Sequence, residues 1–163
     1  MPDRRHARIL AMQSLCQLDV LADDFLPQLD RFLAEETPDR AVRDYARRLV
    51  HESWQRRDEL DAAIQAVAEH WDVRRMTTVD RNVLRVAVCE LLHRPEIPPP
   101  VAIDEAVEIG KTFSTADSAA FINGVLDAVL QRRTAEKEAS RGGAENAEAE
   151  EGSRGGAENA EQP

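Results

Sequence analysis

Gly110, Lys111 and Thr112 spell the end of a phosphate-binding loop, in which backbone N–H groups and a lysine cradle a nucleotide's phosphates. The glycine such a loop needs five residues earlier is missing: position 105 is Glu105, and the segment reads as the end of a helix. Without a strand-to-helix loop no cradle forms. Glu90 and His93 make one E-x-x-H pair, whereas a dinuclear carboxylate site needs two such pairs and further glutamates. His6, His51, His70 and His93 are scattered, and Cys16 and Cys89 stand outside any CxxC spacing. No Ser or Cys sits in a nucleophile motif. These patterns point away from an enzyme, and they supply no catalytic residue, no metal ligands and no cofactor loop.

The chemistry that remains is arginine and phosphate. At 100° per residue, Arg4, Arg5 and Arg8 fall within an arc of about 100° on a first helix, with His6 nearby. Each guanidinium is a planar, permanently charged fork suited to phosphate oxygens, and an exposed aromatic ring elsewhere would add stacking to unpaired bases. Charge pattern alone fits a solvated helix face as well.

The elements that must carry these residues are all helical, because no alternating run is long enough for a strand. Arg4 to about Leu21 places Ala7, Leu10, Ala11, Leu15 and Leu18 on one face. A second helix runs near Asp24 to Glu35, and Thr37 with Pro38 forms a cap and first turn for a third. No Gly or Pro follows until after Trp71, and one rod of that length, about 50 Å, would outgrow a compact domain, so a break is predicted near Arg57 and Asp58. Leu60, Ile64, Val67 and Trp71 then share an apolar side. Thr77 and Asp80 have capping-box spacing, and Pro95 with Pro98, Pro99 and Pro100 ends the helix they begin. Asp104 and Glu105 open the next helix, to about Phe113; Ser114 and Asp117 repeat the capping spacing before the last. There Gly124 costs about 1 kcal/mol relative to Ala, a cost usually accepted for close helix contact.

The 163 residues, 42% apolar, suffice for one core. No window approaches the length of a membrane span, and a cytoplasmic protein is expected. Half of the formal charge of −10 falls on Thr134–Pro163, which holds SRGGAENAE twice and almost no large apolar residue. This segment, 134–163, is predicted to be a disordered acidic tail.

Three blocks carry a specific residue order: RRHARILAMQSLCQ from Arg4; Trp71 through VDRNVLRVAVCELLHR; and VAIDEAVEIGKTF followed by ADSAAFINGVLDAV. They resemble the NusB family of bacterial transcription antitermination factors over about Arg4 to Leu130. The resemblance implies an all-α domain, 1–133, of two small packed helical bundles, about 4–72 and 77–133. It implies binding to boxA RNA of ribosomal RNA operon leaders as a heterodimer with NusE, a ribosomal small-subunit protein. That complex joins the RNA polymerase elongation complex with other Nus factors and suppresses termination. By position, RNA contact would fall to Arg4, Arg5, Arg8, Arg85, Asp117, Ser118 and Phe121, and the NusE surface to Cys16, Asp80 and Phe113. Asp117 fits a capping acid equally well, Phe113 and Phe121 fit a core, and Arg85 fits a structural ion pair.

The sequence departs from the family where Cys16 and Cys89 replace a usual tyrosine, where Ala120 replaces a basic residue, and where Asp104 replaces asparagine. The Ala120 change predicts weaker RNA binding by the isolated chain and greater reliance on its partner. Two other readings stay open: a NusB-fold adaptor acting through protein contacts alone, and a stand-alone relative of the RNA-binding domain of ribosomal RNA cytosine methyltransferases. Monomer and homodimer are both compatible with the resemblance.

Overall fold

The structure is a computed structural model; it describes residues 3–154, with side chains described for 3–143. Among these residues the regular elements are helices: α1 (Arg4–Leu21), α2 (Leu29–Glu36), α3 (Arg40–Gln55), α4 (Arg57–Val67), α5 (Thr78–His93), α6 (Pro99–Phe113) and α7 (Ala116–Arg154). Short 3-10 turns at Ala22–Gln28 and Val73–Arg75 join them. None of the described helices is long and apolar enough to cross a membrane.

α1 begins where the Asp3 carboxylate accepts the N–H of His6 at 3.0 Å, satisfying one of the free donors of the first turn. Its expected face, Ala7, Leu10, Ala11, Leu15 and Leu18, is buried, and the helix packs against both α3 and α5. α5 in turn packs on α4 and α6, so one core runs through the compact unit Met1–Val129. Leu10, Leu15, Leu49, Leu60, Ile64 and Leu84 are closed off from solvent. Each such side chain contributes about 1.5–3 kcal/mol by leaving water.

Several boundaries differ from those the sequence predicts. The segment before α2 is a 3-10 turn because Pro27 lies inside it and has no N–H to donate to an α-helical ladder. α3 is capped by Asp39 and not by Thr37: the Asp39 carboxylate accepts from Ala41 and Val42 at 3.0 and 3.4 Å, while Thr37 Oγ1 accepts the Asp39 N–H. The break between α3 and α4 falls at Arg56, beside the predicted site. Pro99 and Pro100 form the first turn of α6, about a turn before Asp104, since a first turn has no use for their missing N–H groups. The cap of α7 is Thr115, whose Oγ1 accepts the Ser118 N–H at 3.1 Å; Ser114 instead ends α6.

The close helix approach expected at Gly124 occurs at Gly110. A Cβ on Gly110 would lie 2.8 Å from Ile122 Cδ1, whereas one on Gly124 would meet nothing within 4 Å. From Leu130 a second unit begins, and its backbone is helical to Arg154 where the composition predicts disorder from Thr134. The side chains of residues 134–143 are all exposed. Over residues 134–143, which include Gly142 and Gly143, the helix has no buried face, and such a stretch is marginal in water, the same shortage of apolar surface that the composition registers. The end of the expected tail, 155–163, lies outside the described residues.

Candidate nucleic-acid interface

The three arginines of α1 meet three different fates. Arg4 is exposed, and its Cζ sits 3.9 Å from the centroid of the Tyr45 ring, a cation–π contact that holds the guanidinium at the surface. Arg5 is exposed and forked onto Glu105, its Nε and Nη2 donating at 2.8 and 3.0 Å. These hydrogen bonds and the Arg5 charge hold the Glu105 carboxyl below its ordinary range. Arg8 turns inward. Its Nε and Nη2 donate to the two carboxylate oxygens of Glu90 at 2.7 and 2.9 Å, and the Tyr45 hydroxyl donates to Glu90 Oε2 at 2.7 Å. Burial and the adjacent Glu90 push the Tyr45 phenol up to about 12.

The resemblance places Arg8 at an RNA contact; in the structure its fork is closed on a buried carboxylate. Arg85 shows the same pattern. Its Nε and Nη2 donate to Asp61 at 2.7 Å each, and Nη1 donates to Asp19 at 2.8 Å and to Asn82 at 3.1 Å. Burial works against its charge, but the bonds to Asp61 and Asp19 outweigh burial and raise its pKa. Arg85 therefore ties α1, α4 and α5 together and has no free fork for RNA.

The lone E-x-x-H pair is divided as well. Glu90 is committed to Arg8 and Tyr45, while His93 Nε2 lies 2.9 Å from Glu59. Lys111 pairs with Glu108 and Thr112 donates to the Glu108 carbonyl, so the Gly-Lys-Thr tripeptide is the last turn of a helix.

A second polar and aromatic surface forms where the start of α7 meets the start of α5. Ser118 Oγ donates to Asp80 Oδ2 at 2.9 Å, while Asp80 Oδ1 is buried and has no hydrogen-bond partner among the described residues. Phe121 is half-buried and meets Trp71 edge to face, with ring centroids 5.7 Å apart. Trp71 is 59% exposed: α4 ends at Val67, so the tryptophan does not continue its apolar side as the spacing predicts. Trp71, Arg75, Asp80, Asp117, Ser118 and Phe121 line a groove of ≈ 290 Å³. The structure thus brings together Asp117, Ser118 and Phe121, and adds Trp71 and Arg75. Asp72, whose carboxylate accepts from the Arg74 N–H, is the sequence signal for a turn that takes Trp71 off the helix.

The residues expected at a partner surface are less uniform. Phe113 is 38% exposed at the end of α6. Cys16 is half-buried, with Sγ 3.7 Å from the Thr78 carbonyl and accepting from Asn82 Nδ2 at 3.5 Å. Asp80 is only 7% exposed, lines the groove and accepts from Ser118. Asp117 is an exposed first-turn acid of α7 and Ala120 an exposed neighbour.

Fold and surface together define a small all-helical binding module with exposed arginines on its first helix and an aromatic groove at the start of its last. The model of the NusB family matches residues 5–131, and the chain belongs to that family. It is 46% identical over 136 residues to the transcription antitermination protein NusB of Symbiobacterium thermophilum, a match covering 78% of this chain and 89% of the relative. Among solved structures it resembles T. maritima NusB, with TM-score 0.70 and 36% identity, covering 80% of this chain and 92% of that one. It also resembles a chain of the crystal structure of antitermination factors NusB and NusE in complex with dsRNA, with TM-score 0.72 and 26% identity over 81% of this chain and 98% of that one.

Proposed function

We propose that this protein is a cytoplasmic transcription antitermination factor without a catalytic step of its own. It binds boxA RNA of ribosomal RNA operon leaders together with NusE, joins the RNA polymerase elongation complex with other Nus factors, and suppresses termination. The observation that carries this reading is the exposed Arg4 and Arg5 pair on α1, in a chain whose fold matches NusB bound to NusE and double-stranded RNA. Arg4 and Arg5 supply the phosphate contacts, which fix register without reading sequence. Phe121, Ser118 and Asp117 supply the aromatic and polar groups that unpaired bases require. Arg8 and Arg85 act from inside, holding α1 in the position that presents Arg4 and Arg5. Phe113, at the end of α6, and Cys16, beside Thr78, are assigned to the NusE contact.

Fluorescence anisotropy of labelled boxA RNA, against a scrambled RNA of equal length, tests the proposal. Tighter, sequence-dependent binding on adding NusE is the expected result. Equal affinity for both RNAs with NusE present rejects it in favour of an adaptor acting through protein contacts.

A further inference from the structure

We infer that Arg48 of α3 joins Arg4 of α1 in a phosphate clamp laid over the Tyr45 ring, so that the RNA backbone continues off the first helix onto the third. Resting on the RNA-binding reading above, this adds α3 to the helices that touch the strand. Tyr45 is the fixed point. Its ring is 2% exposed and its hydroxyl donates to the buried Glu90, so it holds one orientation. Arg48 follows it by three residues and therefore stands beside it, one turn on along α3. Three guanidiniums surround the ring: Arg4 Cζ lies 3.9 Å from its centroid, and the Cζ atoms of Arg48 and Arg94 lie 5.9 Å from it.

These three guanidiniums are not equivalent. Arg94 donates to Glu52 at 2.7 Å and is neutralised there. On a helix the carboxylates that would neutralise Arg48 stand four residues before and after it, at Asp44 and Glu52. Both are taken, Asp44 by Arg47 at 2.9 Å and Glu52 by Arg94. Arg4 and Arg48 are exposed and form no ion pair among the described residues. Both are measured from one centroid, so their guanidiniums stand within about 10 Å of each other, a separation that salt leaves only partly screened. Two permanent positive charges this close repel each other, and neighbouring phosphates of one strand, held between them, relieve that repulsion. A guanidinium stacked on an aromatic face keeps its N–H edge for a phosphate oxygen. Stacking also restricts the side chains beforehand, which lowers the ordering cost of binding.

The test uses the full chain with NusE and boxA RNA, as such or lengthened by a few nucleotides at either end, titrated by anisotropy at two salt concentrations. Arg48→Ala should weaken at least one of these RNAs and reduce the salt slope by about 0.7 for each phosphate released. Arg48→Lys, which keeps the charge, should restore the slope. Arg31→Ala, which lowers net charge equally but removes an arginine paired with Glu35, should leave it unchanged. Weaker binding of Arg48→Ala with an unchanged slope, not restored by lysine, is a packing effect and overturns the clamp. Curves for Arg48→Ala that match wild type with every RNA, while Arg4→Ala weakens them, overturn the clamp and leave the RNA-binding reading standing. Loss of NusE affinity without RNA, and no loss of RNA affinity, overturns it in favour of a protein contact. No binding of any RNA by the wild-type protein, NusE present, overturns both readings.

Discussion

Arg8 and Glu90 stand 82 residues apart in the chain and are joined by two parallel hydrogen bonds of 2.7 and 2.9 Å, in a site where their side chains are 4% and 1% exposed. A residue that the family resemblance assigns to RNA contact is thus the internal fastener between α1 and α5. Tyr45 of α3 donates to the same carboxylate, so three helices converge on Glu90.

Removing one member strands the other. Arg8→Ala should lower unfolding stability by about 3–5 kcal/mol in urea titrations, since Glu90 is left as an uncompensated buried charge. Replacing both by apolar residues of similar volume should recover most of that loss. Full loss of stability in the double variant would show that the pair has no substitute in packing.

Arg4 and Arg5 should behave in the opposite way, sparing the fold and weakening RNA. Each change to Ala should weaken binding evenly across RNA sequences and reduce the salt slope by about 0.7 for each phosphate left without its arginine. Because Arg5 must leave Glu105 to reach a phosphate, Glu105→Gln should tighten RNA binding. Ala120→Lys should also tighten it and steepen the salt slope. Anisotropy titrations at two salt concentrations check all four, and identical curves for wild type and Ala120→Lys would reject the assignment of position 120.

Acid should undo the Asp19 junction. Burial pushes the Asp19 carboxyl up, but hydrogen bonds from Arg85 and Asn82 and the charges of Arg85 and Arg81 outweigh it, so its folded pKa lies below its ordinary value. The stability it confers is present above the unfolded carboxylate range, about 3.9, and is lost as pH falls through the lower folded value. Asp19→Asn should melt well below wild type at pH 7, and the two melting temperatures should draw together toward pH 2.

The two helical glycines should respond with opposite signs. Gly124→Ala should stabilise by about 1 kcal/mol, since its Cβ meets open space and Ala is the better helix former. Gly110→Ala gains the same propensity but drives a Cβ to 2.8 Å from Ile122, itself fully buried, and overpacking of about 1–3 kcal/mol should leave a net loss. Thermal melts distinguish the pair.

Neither thiol should be nucleophilic at neutral pH. Burial pushes Cys89 up to about 11 and raises Cys16 as well. A thiol reagent at pH 7.5 should label Cys16 slowly and Cys89 only after unfolding in urea. Native labelling of a Cys16→Ser variant would contradict this placement.

Much of what is local or periodic in this protein can be read from its residues without coordinates. The 3.6-residue spacing of Ala7, Leu10, Ala11, Leu15 and Leu18 defines the buried face of α1, and Thr77 with Asp80 sets the start of α5, because these depend only on residues within a few positions of one another. The family is equally legible, since three blocks of specific residue order carry it. Boundaries near Pro27, Pro38 and Pro99 are less so, because a proline marks a turn, a cap region and a first helical turn alike. Which charges are free is settled only when the helices pack. Arg4, Arg5 and Arg8 lie on one arc of α1, yet Glu105 and Glu90 arrive from α6 and α5 to claim Arg5 and Arg8, and Asp19 and Asp61 arrive from α1 and α4 to claim Arg85. Packing also sets Trp71 beside Phe121, 50 residues later, and Asp80 beside Ser118. Helix periodicity fixes where a side chain points, but which partner meets it depends on contacts between segments far apart in the chain, and in this protein those contacts separate surface arginines from structural ones.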